Sequence, residues 1–277
     1  MKKIIVPIDF SEHSEFALKT AARLARKYDA EVLVLHMLEM SDLMLTASEG
    51  LQYEKASFFI KLSEQKFEDF LKKDYLSDIK ITPIIKHFKV FSEVDDVAKE
   101  HRADLIVMGS HGASGVKEFF VGSNTERVVR NSEIPVLVVK NMLNDVDFND
   151  VVFACDFEED AIKPYINASK MFNLIGGKLK LVYVNLPNER FKSSLEIEKR
   201  VVNFLNKADG NLDNLSNVNY VSDYTVEDGV LNFALKEGAD MIAIPTHGKK
   251  GLAHFFEGSI GEDIANHATI PVMTFKI

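Results

Sequence analysis

The sequence predicts an α/β protein built from two repeated domains, each a five-stranded parallel sheet with helices on both faces. Three observations predict it. The chain repeats itself at long period. Each copy alternates short apolar, β-branched runs with helical stretches, the pattern of strands buried on both faces of a parallel sheet. The 277 residues, 46% hydrophobic and 27% charged, suit a globular chain long enough for two ordinary domains.

The repeat is visible in three pairs at one offset of 136 residues: "ADLIVMGSHG" at 103–112 with "ADMIAIPTHG" at 239–248, "FFVGSNTERV" at 119–128 with "FFEGSIGEDI" at 255–264, and "EIPVLVVK" at 133–140 with "TIPVMTFK" at 269–276. The front ends match more loosely at an offset of 147, "KIIVPIDFSE" at 3–12 with "DVVFACDFEE" at 150–159, so the second copy is 11 residues shorter between its second and fourth strands. The expected domains are 1–142 and 148–277, with the polar segment "NMLNDVDFND" at 141–150 as linker.

In the first copy the predicted strands are "KIIVPID" (3–9), "EVLVLHML" (31–38), "KITPIIK" (80–86, weakened by Pro83), "DLIVMG" (104–109) and "PVLVVK" (135–140). Between them, Ser11 reads as the N-cap of a helix to about Tyr28 with Phe16, Ala21, Leu24, Ala25 and Tyr28 on its apolar face. Further helices are expected at 54–73, 92–101 and 123–132.

Ligands of such sheets bind beyond the carboxyl ends of the strands, where strand order reverses. Asp9, Met37 and the glycine-rich stretch "GSHGASGVKEFFVGSN" at 109–124 lie at such ends. Ser123 and Glu126 fit the capping-box pattern S-x-x-E, and Ser259 and Glu262 repeat it. A helix start of this kind favours an anion, so a phosphate chain is the expected guest. Asp9 would take a base amine or a ribose hydroxyl, or would brace the helix that follows it. No Walker A, dinucleotide fingerprint or nucleophile elbow occurs. His111 and His247 have no second ligand at metal spacing. The one cysteine, Cys155, falls in a predicted strand and reads as core. A net charge of −9 argues against a nucleic-acid partner, and no run approaches a membrane span or a signal peptide; a cytoplasmic protein is expected.

The spacing Gly109-x₂-Gly112-x₉-Gly122-Ser123 resembles the ATP-binding signature of the universal stress protein family, G-x₂-G-x₉-G-[ST]. "IIVPIDFSEHSEFAL", "VLHML" and "IPVLVV" resemble that family's opening, second and closing strands, and with the internal repeat the chain resembles two such domains in tandem. The resemblance implies the adenine-nucleotide α-hydrolase-like, Rossmann-type fold and a stress-response or signalling role with ATP, ADP or AMP as ligand, and Mg2+ as companion ion. By position it implies nucleotide contacts at Pro7, Ile8, Asp9, Met37, Met108, Gly109, Gly112, Gly122, Ser123, Asn124 and Thr125. Asp156, Val184, Gly248, Gly258 and Ser259 are their counterparts in the second copy. It also implies pairing through the last strands, here as a pseudo-dimer inside one chain or as a homodimer. The signalling partner is not readable from sequence.

The second copy departs from the signature. Pro245 stands in place of the first glycine, fixing φ and removing an N–H, so unequal nucleotide binding is expected, with the first copy the stronger. Two other readings stand beside it. One is a slow ATPase, for which Ser110, His111 and Lys117 are nearby but form no clear constellation; the other is an adaptor that needs no nucleotide.

Overall fold

A computed structural model describes residues 1–38, 49–87, 93–110, 122–187, 191–246, 264–265 and 267–277. The first half runs β1 (Lys3–Ile8), α1 (Glu12–Tyr28), β2 (Glu31–Leu38), α2 (Glu49–Leu71), β3 (Ile81–His87), α3 (Val94–Glu100), β4 (Leu105–Gly109), α4 (Ser123–Asn131) and β5 (Val136–Val139). The second runs β6 (Asp150–Ala154), α5 (Ile162–Ile175), β7 (Lys178–Asn185), α6 (Ser194–Ala208), β8 (Val218–Ser222), α7 (Val226–Lys236), β9 (Met241–Thr246) and β10 (Val272–Lys276).

The strands form one ten-stranded sheet in the order β3-β2-β1-β4-β5-β10-β9-β6-β7-β8. Pairing is parallel within each half. The halves meet at an antiparallel pair, β5 with β10, in the register Val272↔Val138, Met273↔Leu137 and Thr274↔Val136. Strand order reverses beside β1 in the first half and beside β6 in the second. The crevices expected from topology therefore lie at the ends of β1/β4 and β6/β9.

Period-two alternation sorts the side chains. Ile4, Val6, Ile8, Val32, Val34, Leu105 and Val107 enter the core beneath α1, while Ile5, Leu33, Leu35, Met37, Ile106 and Met108 enter the core beneath α3 and α4. The core beneath α1 does not stop at the seam. It continues through Leu137, Val139 and Phe275 to Phe153, Tyr165 and Phe172 in the second half. On the opposite face the cores stay separate.

Residues 141–150 join the two halves as a mostly exposed segment with two buried anchors. Val146 and Phe148 are buried in the shared core, and Lys27 pairs with Asp147 at 2.6 Å. The Tyr28 hydroxyl donates to the Ile175 carbonyl at 3.0 Å, joining the ends of α1 and α5. Pro83 is accommodated because β3 is an edge strand with only β2 beside it.

Candidate functional site

Asp9 follows β1, and its Oδ1 accepts from the Ser11 N–H at 3.0 Å. Ser11 caps α1, its hydroxyl accepting from the Ser14 N–H at 3.1 Å. The bracing role of Asp9 is therefore present in the geometry. Between them Phe10 sits at φ 64°, in the left-handed region that a bulky side chain rarely adopts. Its ring is held against His36 at 4.4 Å between centroids and Phe70 at 5.5 Å, with the Lys66 amine 4.4 Å from its centre. These contacts fix the turn that carries Asp9 out of the strand.

β4 ends at Gly109 under a tight constraint. A Cβ there would lie 2.5 Å from the His13 carbonyl oxygen of α1, so the glycine is required for helix and strand to touch. The Thr125 hydroxyl, buried, donates to the Gly109 carbonyl at 2.8 Å and ties α4 to the end of β4. The Gly122 N–H donates to the Ser110 carbonyl at 2.7 Å, and the Ser110 N–H to the Val139 carbonyl at 3.0 Å. The two ends of the glycine stretch are thus pinned to each other at the carboxyl edge of the sheet.

The expected capping box at Ser123 and Glu126 does not form. Gly122 is the N-cap, at φ −59° and ψ 146°, and no side chain caps the helix. Ser123 is already the first helical residue and is exposed, and Glu126 turns to Arg130 at 2.8 Å instead. The reason is tertiary: the Gly122–Ser110 bond holds residue 122 extended and starts the helix one position early. The first intrahelical bond runs from the Glu126 N–H to the Gly122 carbonyl at 3.0 Å, and among the described residues no side chain caps the N–H groups of Ser123, Asn124 and Thr125.

Pro7, Met37 and Met108 are buried, and Met37 and Met108 share the α3/α4 core. By alternation Pro7 shares their face, whereas Ile8 turns its side chain into the core beneath α1. Gly112 lies outside the described residues. Sequence reasoning missed His36. Its Nδ1 donates to the Ile8 carbonyl at 3.0 Å, and burial holds its pKa below the ordinary value. The only signal was a polar residue inside the apolar run "VLHML". At the end of β5, burial lowers the Lys140 amine to about 8.

The second half repeats the turn in different surroundings. The Asp156 Oδ1 accepts from the Glu158 N–H at 3.0 Å, and Phe157 sits at φ 57°. Burial raises the Asp156 carboxyl to about 6, and Arg200 of α6 donates to its main-chain carbonyl at 3.4 Å. A 3-10 turn, Glu159–Ala161, replaces the capped start of α1, and α5 has no side-chain cap. Pro245 lies in β9 opposite Phe275 of β10. Val184 is buried in its own half's core, and Gly248, Gly258 and Ser259 lie outside the described residues, as do Ser259 and Glu262 as a capping pair. Cys155 is buried, and its Sγ accepts from the Phe157 N–H at 3.2 Å, a packing role. Among the described residues no group of His, Cys, Asp or Glu is placed to hold a metal ion, and no helix is long and apolar enough to cross a membrane.

A protein-family model, the universal stress protein family, matches residues 1–140 and again 148–276. Two universal stress proteins of Methanocaldococcus jannaschii are similar in sequence. One is 35% identical over 140 residues, covering 50% of this chain and 82% of the relative. The other is 34% identical over 154 residues, covering 50% and 94%. Among solved structures, a universal stress protein from Archaeoglobus fulgidus aligns over 99% of this chain and 98% of its own with a TM-score of 0.66 at 23% identity, a likeness of fold. Matched in both halves, the chain belongs to the universal stress protein family, with two of its units in tandem.

Proposed function

We propose that the chain binds an adenine nucleotide at the switch point of its first half and acts as a nucleotide-responsive stress or signalling protein. The observation that carries this reading is the start of α4. It is held at the end of β4 by the Thr125–Gly109 and Gly122–Ser110 bonds, and among the described residues no side chain occupies its first-turn N–H groups. A phosphate chain satisfies those donors and the positive end of the helix dipole together. Ser123, Asn124 and Thr125 would hold the phosphates, with Asp9 the hydrogen-bond acceptor for the nucleoside and Met37 and Met108 the apolar wall. Mg2+ would be held by phosphate oxygens and water rather than by a protein cage, as suits an ion that sheds water reluctantly.

The second half serves chiefly as structural partner in this reading. Pro245 offers no N–H where Gly109 stands in the first half, and Asp156 is half-buried with a raised pKa. Calorimetric titration with ATP, ADP and AMP is the test. About one equivalent per chain is expected, and Gly122→Val should weaken it by more than tenfold by crowding the phosphate. Unchanged affinity in that variant, or two equal sites per chain, would sink the proposal.

A further inference from the structure

The far end of α4 is held from the other half of the molecule. The Lys276 amine, on the last residue of β10, donates to the Arg130 carbonyl in the last turn of α4. The antiparallel β5–β10 register brings it there, and the Thr274 hydroxyl adds a bond to the Val136 carbonyl at 3.4 Å. Lys276 is partly buried and faces Asp95, Glu133 and Arg130.

The same helix end is also fixed within the first half. The Asp95 Oδ1 of α3 accepts from the Ser132 hydroxyl at 2.8 Å and the Glu133 N–H at 3.0 Å. Its Oδ2 pairs with Lys99 at 2.8 Å, and Lys99 also reaches Glu133 at 3.2 Å. So α4, nine residues and about 13 Å long, has a far end anchored from both halves and a near end whose N–H groups no side chain caps among the described residues.

We propose that Lys276, contributed by the second half, is a positioning residue for the nucleotide site of the first. It neutralises the negative end of α4 and fixes its last turn, and a short rigid helix carries that constraint to the N–H groups facing the phosphates. The second unit then completes the first unit's site without touching the ligand. This rests on the nucleotide reading above.

The test uses the full chain and four proteins: wild type, Lys276→Met, Lys276→Arg, and Val201→Ala, which trims the core beneath α6 away from α4. Two quantities are read: ATP affinity by calorimetry, well below the melting temperature, and amide exchange of residues 126–132 without ligand. Lys276→Met should weaken ATP binding about five-fold and speed that exchange, and Lys276→Arg should restore both. Val201→Ala should lower the melting temperature and leave affinity alone. Wild-type affinity in Lys276→Met overturns the proposal, and so does an equal loss in Val201→Ala, which would mark a general stability effect. If the wild-type chain binds no adenine nucleotide, the functional reading fails first and the positioning role fails with it. Exchange data then report only whether Lys276 anchors α4.

Discussion

Asp9 and Asp156 occupy matching places after the first strand of each half, and their surroundings separate them. Each accepts a main-chain N–H two residues on, at 3.0 Å. Burial lifts the Asp156 carboxyl from its ordinary 3.8 to about 6. A carboxyl with a raised folded pKa holds its proton longer in the folded chain than in the unfolded one. Its contribution to stability is therefore full at low pH and is lost as pH rises from about 4 through 6. Asp156→Asn, which keeps an acceptor for Glu158, should stabilise the fold at about pH 7.5 by on the order of 2 kcal/mol and do nothing near pH 4. Thermal melts at the two pH values check this; equal shifts at both would refute it. The identity of both aspartates was legible from the repeat. The raised pKa of Asp156 was not, because it depends on α6 and the 3-10 turn packed around that residue.

Elements were legible where a local pattern decides them, and less so where neighbours do. The Ser11 cap formed as read, and the apolar stripe of α1 is right in register, though Ala17, Leu18 and Ala22 are more buried than Phe16 and Tyr28. The cap of α4 moved to Gly122 because a bond to Ser110, across the glycine stretch, sets the backbone there. Gly109 was read from its spacing as a ligand-approach residue. The geometry gives it a prior duty, close contact between β4 and the α1 backbone. Gly109→Ala should therefore cost about 2 kcal/mol without any nucleotide present, since the obstructing atom is a main-chain oxygen that cannot rotate away. Chemical denaturation of ligand-free protein measures this, and an unaltered midpoint would show that α1 shifts freely.

At the scale of the molecule, the two family units share one sheet and, on one face, one core. Val146 and Phe148 fill that core at the junction, and the Tyr28–Ile175 bond closes its edge. Ligand-free protein should accordingly unfold in a single transition, with matching midpoints for fluorescence and circular dichroism. Two separated transitions would show that the halves act as independent domains. The sequence by itself determined the repeat, the strand–helix alternation and the residues that could meet a nucleotide, because apolar periodicity and glycine spacing are local properties of the chain. Only the tertiary structure decided that Val146 and Phe148 anchor the linker in the shared core, that Gly122 is the N-cap of α4, and that Lys276 grips its far end. Each depends on atoms brought together across the sheet from distant positions, where no local pattern carries the information.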